Sequence, residues 1–430
     1  MIRYVATALL LVSALPAQGH VTPPEGFSPL LVGKGLTGWR GRPHLDPKKE
    51  AAMSPEKRAK QQAKWNADRD AHWRVENGEI VNDGKGVFLT TEKEYEDFEF
   101  TFEYKTVAKA DSGVYLRYIP QVQIWDTTEA GGKWNLGADK GSGALWNNKR
   151  YANRPLHHAD RPFGEWNSLR IRMVGSRVSV WMNDKFIVDD TILENYFDRK
   201  RPVPTRGAIQ LQTHGGEIRW RNLFIREIGA DEANRMLAKR ASTAFESVFN
   251  GKDFSGWAGP THTYEVDNGA IRCRAGAGGT IYTKATYDDF VARLEFKLPP
   301  GGNNGLAIRY PGSGDTAYIG MCELQVIDHT HKKYANLKDW QVHGSAYGMA
   351  PAHRGFLRPA GTWNFQEVTV KGSTITVELN GYVILETDLS KIDKPFSGNA
   401  HAGRTRTEGH FGFAGHNDPV SFRHVRIKRL

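Results

Sequence analysis

The feature that most constrains this chain is an internal repeat. Leu31-Val-Gly-Lys-Gly-Leu-Thr-Gly-Trp39 returns as Phe249-Asn-Gly-Lys-Asp-Phe-Ser-Gly-Trp257, and Val75-Glu-Asn-Gly-Glu-Ile80 as Val266-Asp-Asn-Gly-Ala-Ile271. Tyr115-Leu-Arg-Tyr118 answers Ala307-Ile-Arg-Tyr310, and Gln123-Ile-Trp-Asp126 answers Gln325-Val-Ile-Asp328. Glu165-Trp-Asn167 matches Thr362-Trp-Asn364, and the stretch from Gly207 to Ile228 matches that from Gly409 to Leu430, with His214 opposite His416. Six anchors recurring in one order over 430 residues are two copies of one folding unit, a length that suits two domains of ordinary size. The boundaries expected are 20–229 for the first copy, 230–243 for a charged helical linker and 244–430 for the second.

Each copy reads as all-β. Stretches 97–106, 113–118, 168–174, 177–183 and 218–228 alternate apolar and polar residues, as half-buried antiparallel strands do. Asn183-Asp184 and Asn380-Gly381 stand where hairpin turns belong. The 45 glycines fit many short strands joined by tight turns, and no crossover helices interrupt them. A two-sheet sandwich or jelly roll in each copy is the expected architecture. One departure from the repeat is informative. Trp39 and Trp257 lie 218 positions apart but Asn77 and Asn268 only 191, so the first copy holds about 27 extra residues between them. Ser54-Pro55-Glu56 caps a helix there, over Lys57 to Asp70. That polar helix either walls one side of a cleft or decorates the surface.

The N-terminus has a secretory pattern: Arg3, an apolar run from Val5 to Leu15 and a small-residue cleavage site at Ala17-Gln-Gly19. Residues 1–19 are expected to be a signal peptide and the mature protein to be exported, to the periplasm or the medium. The run is too short to span a bilayer, and no later segment is apolar enough to do so. The net charge of +10 is scattered, its densest run being Arg199-Lys-Arg201, and no nucleic-acid-binding motif accompanies it. Two cysteines, Cys273 and Cys322, do not make a disulfide framework, and whether they pair depends on their separation.

The strongest chemical signal is Pro120-Gln-Val-Gln-Ile-Trp-Asp126. Val122 and Ile124 take one face, leaving Gln121, Gln123 and Trp125 on the other. Amides beside a flat aromatic suit an uncharged, hydroxyl-rich ligand. The same alternation puts Gln210, Gln212 and His214 on one face, and, with Val114 and Leu116 in the core, Tyr115 and Arg117 beside them. Lys140 and Trp146, on the adjoining loop, are placed to close over such a ligand. The second copy keeps Arg309, Gln325 and His416, gains Glu323 where the first has Gln121, and replaces Gln210 and Gln212 by Gly412 and Ala414. Asp126 and Asp328 end their strands and either cap turns or touch ligand. Trp39, Trp257, Trp166 and Trp363 read as structural. The adjacent His157-His158 side chains diverge on a strand and His329-Thr-His331 lacks a clear third ligand, so no metal site is placed; a divalent cation held elsewhere by carboxylates has no supporting spacing.

Together these motifs resemble the 3-keto-disaccharide hydrolase family, concanavalin-like jelly rolls formerly grouped as a domain of unknown function. The carriers are the Phe-Asn-Gly-Lys-Asp-Phe-Ser-Gly-Trp opening, Glu-Asn-Gly, Gln-Ile-Trp-Asp, Glu-Trp-Asn and the closing Gly-Glu-Ile-Arg-Trp-Arg-Asn. The second copy, with Glu323-Leu-Gln-Val-Ile-Asp328, Ser345-Ala-Tyr347 and His416-Asn-Asp-Pro, resembles the commoner single-domain form. The resemblance implies two tandem jelly rolls acting on a small-molecule or oligosaccharide glycoside oxidised at C3, with no cofactor in evidence. A C3 ketone acidifies the C2 proton; a base removes it, the enolate expels the C1 aglycone, and water can add back. His214 and His416 are the candidate bases, Glu323 an acid–base partner, and Arg117 and Arg309 the candidate oxyanion stabilisers. Tyr115, Gln121, Gln123, Trp125, Asp126, Lys140, Trp146, Gln210, Gln212, Gln325, Asp328 and Tyr347 are the candidate sugar contacts. The Glu323–His416 pair tilts the catalytic expectation toward the second copy. The competing expectation is a tandem of non-catalytic sugar-binding domains. Oligomeric state has no signature in the sequence.

Overall fold

In the computed structural model, residues 21–241 and 243–430 are described; the signal-peptide expectation falls outside them. Among the described residues each half is an antiparallel jelly-roll sandwich of one eight-stranded and one five-stranded sheet. The five-stranded sheet of the first half runs, in order, Trp39–Arg42, Phe88–Thr91, Gln210–Leu211, Asp111–Leu116 and Ile119–Trp125. Its counterpart runs Trp257–Ala258, Gly278–Tyr287, Gly409–His416, Asn303–Tyr310 and Cys322–Ile327. The same strand order in both halves is the structural form of the repeat.

Alternation decides what each sheet buries. Val114, Leu116, Val122, Ile124 and Leu211 enter the core of the first half and Leu306, Ile308, Leu324, Val326 and Phe413 that of the second. They pack against aromatics of the larger sheets, such as Phe100, Phe102 and Trp220. Burying a side chain of this size stabilises by about 1.5–3 kcal/mol each. Trp39 and Trp257 are core residues whose indole N–H groups donate to Leu30 O at 2.6 Å and Val248 O at 3.0 Å. Trp166 and Trp363 lie half-buried, each under an arginine (Arg221 and Arg423) about 4 Å from the ring centre. Asn183, Asp184, Asn380 and Gly381 all have positive φ, the conformation two-residue hairpin turns require.

The extra helix of the first half spans Pro55–His72, capped by the Ser54 hydroxyl, which accepts from Lys57 N at 3.3 Å. Its buried Trp65 lies on Gly41 of the edge strand, and Asn66 Oδ1 accepts from Gly41 N at 3.0 Å. Gly41 is required there, because a Cβ would sit 2.1 Å from Trp65 O. The helix therefore seals one edge of the five-stranded sheet. The linker helix spans Ala230–Lys239; its Ala233 and Leu237 pack with Val174 and Ile228 of the first half and Phe365 of the second. Among the described residues, no helix is long and apolar enough to cross a membrane. Cys273 and Cys322 are both free, buried thiols.

Candidate functional site

A cleft of about 380 Å³ opens on the outer face of the first half's five-stranded sheet. The alternation of the Ile119–Trp125 strand brings Gln121, Gln123 and Trp125 to it; Tyr115 arrives from the neighbouring strand, and Gln212 and His214 from the segment that follows Gln210–Leu211. Trp146 stands edge-on to Trp125, ring centres 5.8 Å apart, and closes one end. His44, at the start of the extra segment, closes the other, its Nδ1 3.0 Å from Tyr115 Oη and its ring 5.3 Å from that of Tyr196. The extra segment thus walls the cleft through His44, while the helix itself stays on the sheet edge.

The chemistry centres on a residue that sequence reasoning passed over. Asp111 opens the Asp111–Leu116 strand and is buried beneath His214. Its Oδ2 lies 2.7 Å from His214 Nδ1 and also takes the Lys133 ammonium, while its Oδ1 accepts from Gln123 Nε2 at 2.7 Å. Burial alone would raise the Asp111 carboxyl, but the bonds from His214 and Lys133 prevail and hold it below the usual range. The bond to Asp111 in turn raises His214, more than partial burial lowers it. Because the carboxylate can only accept, Nδ1 carries the proton and Nε2 presents its lone pair to the cleft. A period-two count backward from Tyr115 through Gly113 would have put Asp111 on the same face.

The second half brings Glu323 and His416 together, Oε1 to Nε2 at 3.3 Å, and this contact raises His416. Asn303 stands at the position of Asp111 and accepts from Gln325 Nε2 at 2.6 Å, as Asp111 does from Gln123. Tyr347, whose N–H donates to Glu323 O at 2.9 Å, packs edge-on against Trp340. Here the sheet is covered differently. The long hairpin between its last two strands carries a helix, Thr316–Ile319, and Thr316 bonds Thr280 at 2.7 Å.

Several expected contacts lie elsewhere. Arg117 does not face the cleft. It follows the strand with φ +53°, so the alternation that aims Tyr115 outward breaks, and its guanidinium is fully buried. There it donates to Glu96 O at 2.7 Å, Gly175 O at 2.8 Å, Asp97 Oδ1 at 3.0 Å and Tyr382 Oη of the second half at 2.5 Å. Arg309, at φ +46°, repeats this with Asp288 O, Gly372 O, Arg406 O and Asp289. Both arginines are staples between loops and cannot reach an oxyanion on the sheet. Gln210 is on the correct face but covered: Arg42 Nη1 approaches its Oε1 at 3.5 Å and its Nε2 donates to Thr90 at 2.9 Å. Lys140 is turned outward by the short 3-10 turns of its loop and pairs with Asp139 at 2.7 Å; Lys133 is the lysine that enters the cleft. Asp126 and Asp328 are strand-end caps. Asp126 accepts from Lys109 N, Thr128 N and Thr128 Oγ1, and Asp328 from Gly301 N, Thr330 N and Thr330 Oγ1.

Among the described residues no three His, Cys, Asp or Glu side chains gather as a metal site would need. His331 accepts from Lys333 N at 3.2 Å, and His329 from His343 N at 3.3 Å. Burial pushes His329 down to about 4.

The sequence pattern of the 3-keto-alpha-glucoside-1,2-lyase-like domain matches residues 26–226 and again residues 244–428. A 3-keto-disaccharide hydrolase of Bacteroides thetaiotaomicron is 25% identical over 248 residues, covering 48% of this chain and 86% of that protein. Two solved structures from Parabacteroides distasonis, described as glycosyl hydrolases, are 25% and 26% identical. They cover 43% and 44% of this chain and 99% and 95% of their own, with TM-scores of 0.40 and 0.38. With both halves of the chain matched almost end to end, the protein belongs to the 3-keto-alpha-glucoside-1,2-lyase-like family, in two tandem copies.

Proposed function

We propose that this protein cleaves 3-keto-glycosides and that the cleft of the first copy does so, with His214 as the base that takes the C2 proton. The observation that carries the reading is the His214 Nδ1–Asp111 Oδ2 contact of 2.7 Å inside a cleft walled by Tyr115, Trp125, Trp146 and His44. Family membership supplies the substrate class: a glycoside whose C3 is a ketone, as the name of the Bacteroides relative indicates. The aromatic walls suit the apolar faces of a pyranose and the amides its hydroxyls.

In the proposed sequence His214 Nε2 removes the C2 proton, and the C–H electron pair moves into an enolate whose oxygen is that of the C3 ketone. Asp111 orients the imidazole and stabilises the imidazolium as it forms. The Lys133 ammonium, which lines the same cleft, favours the developing negative charge. The enolate collapses and breaks the C1–oxygen bond, the departing alkoxide takes a proton from water, and the His214 imidazolium returns its own to solvent. Addition of water to the resulting enone completes net hydrolysis; release of the enone makes the reaction a lyase. No second carboxylate at the spacing of ordinary glycosidases is required. The sequence favoured the second copy because Glu323 replaces a glutamine there. Asp111 and Lys133, which meet at His214 in the folded arrangement, shift the proposal to the first. We further propose that the protein acts after export, on the strength of the N-terminal pattern alone.

The test is turnover of a 3-keto-glucoside by the full chain and by His214→Ala and His416→Ala variants. Loss in the first variant alone assigns the reaction to the first copy; loss in the second alone moves it to the second. Binding of unmodified sugars with no turnover of any 3-keto-glycoside would replace the reading with a sugar-binding tandem.

A further inference from the structure

Gln212 leaves a hydrogen bond unmet at the floor of the first cleft. The residue is 6% exposed and lines the cleft, and its Oε1 is buried with no partner. A buried acceptor without a donor costs about 1–3 kcal/mol, so such a group calls for an explanation. The neighbouring amides and hydroxyl are engaged: Gln123 Nε2 on Asp111, Gln121 Nε2 on Gln123, and Tyr115 Oη with His44. Among the described residues lining the cleft, Gln212 holds the one buried side-chain oxygen left over.

Its position is fixed and its surroundings are kept clear. The Gln212 N–H donates to Gly113 O at 2.9 Å, which ties it across the sheet from a residue without a side chain. A Cβ at Gly113 would lie 2.8 Å from Val122 O and 3.1 Å from Gln212 Oε1, so only glycine leaves room for the amide. Two positions on, lining the same cleft, stands His214. The terminal amide torsion of glutamine is soft, which lets the oxygen turn onto a donor that enters the cleft.

We infer that Gln212 is a specificity residue whose Oε1 accepts a hydrogen bond from a hydroxyl of the sugar ring lying beside His214. The inference rests on the cleft being the sugar site proposed above. An amide oxygen needs a donor; a ketone oxygen, a ring oxygen or an O-alkyl group offers none. The first copy therefore selects a ring with that hydroxyl free over its deoxy or alkylated counterpart. The second copy has Ala414 across from Gly305 where the first has Gln212 across from Gly113, and Ala307 for Tyr115. There the Glu323 carboxylate, and not a glutamine amide, lies against that glycine, so a different acceptor stands at this place. The two copies thus differ in what they select, although they share a strand order.

The experiment titrates methyl 3-keto-glucoside and its 2-, 4- and 6-deoxy analogues into the full chain carrying His214→Ala and His416→Ala, so that neither candidate base remains to consume the ligand. The indole N–H signals of Trp125 and Trp146 report occupancy of the first cleft. One deoxy analogue is expected to bind about tenfold or more weakly than the parent. With Gln212→Ala added, parent and that analogue should bind alike, in a protein whose melting temperature shows it folded. Equal affinity for all four ligands before Gln212 is changed would overturn the inference, as would discrimination that survives Gln212→Ala, or no saturable binding. If discrimination is found but the native chain never releases an aglycone, the catalytic proposal falls and this one stands. If the native chain turns substrate over without discriminating, only this one falls.

Discussion

Arg117 offers the sharpest test of how the repeat should be read, because it is the kind of residue that invites a catalytic role. Replacing it with alanine removes a fully buried guanidinium and leaves Glu96 O, Gly175 O, Tyr382 Oη and one oxygen of Asp97 without their donor. Asp97 Oδ1 keeps a bond from Gly175 N at 2.8 Å, so that carboxylate is not stripped completely. Breaking a buried charged pair of this kind costs about 3–5 kcal/mol. For a unit of this size each kcal/mol moves the melting temperature about 2–4 °C, so a fall of roughly 6–20 °C is expected for the first half. Arg117→Lys should recover part of it, since an ammonium reaches some of these acceptors but lacks the planar fork. The assay is calorimetric melting of each variant beside the turnover of a 3-keto-glucoside measured well below the melting range. The first copy should unfold earlier while the folded fraction keeps its turnover. An Arg117→Ala protein that melts with the native chain but loses turnover would refute the reasoning and restore the arginine to the chemistry.

Further outcomes follow from the same contacts. Because Asp111 raises His214 and the base must be neutral, activity should rise with pH through a midpoint above 6.5. Asp111→Asn removes that support, so the midpoint should move down while the plateau of kcat/KM falls; a pH–rate profile reads both, and an unmoved midpoint would contradict the assignment. Trp65→Ala should cost about 3 kcal/mol locally and expose the Pro55–His72 helix to limited proteolysis, as its buried indole anchors that helix to the sheet edge. Cys273 and Cys322 are buried, and burial pushes the Cys273 thiol up to about 11, so a thiol reagent should react with neither until the protein is unfolded.

Much of this was legible in the chain, for a physical reason. Wherever one face of a strand is buried, period-two alternation dictates which side chains share the other face. Val122 and Ile124 therefore placed Gln121, Gln123 and Trp125 correctly, and Val114 placed Tyr115. The same rule failed at Arg117 and Arg309 because both residues adopt left-handed backbone, where alternation stops. Their recurrence in both copies marks a shared staple. Gln210 shows a second limit: the face was right, but Arg42 from the edge strand lies over it. Asp111, Lys133 and His44 come from a strand start, a loop and an inserted segment. Only Asp111 carried a periodic signal, and the other two are brought in by tertiary packing alone.

The central claim is that His214 removes the C2 proton of a 3-keto-glycoside. The most direct measurement is proton NMR of the protein with a 3-keto-glucoside in heavy water, following the C2 signal and the free aglycone together. The account predicts that the C2 proton signal is lost as the aglycone appears, with deuterium at C2 wherever water adds back, and that His214→Ala abolishes both. Aglycone release with the C2 proton retained, or exchange and release undiminished in His214→Ala, would contradict it.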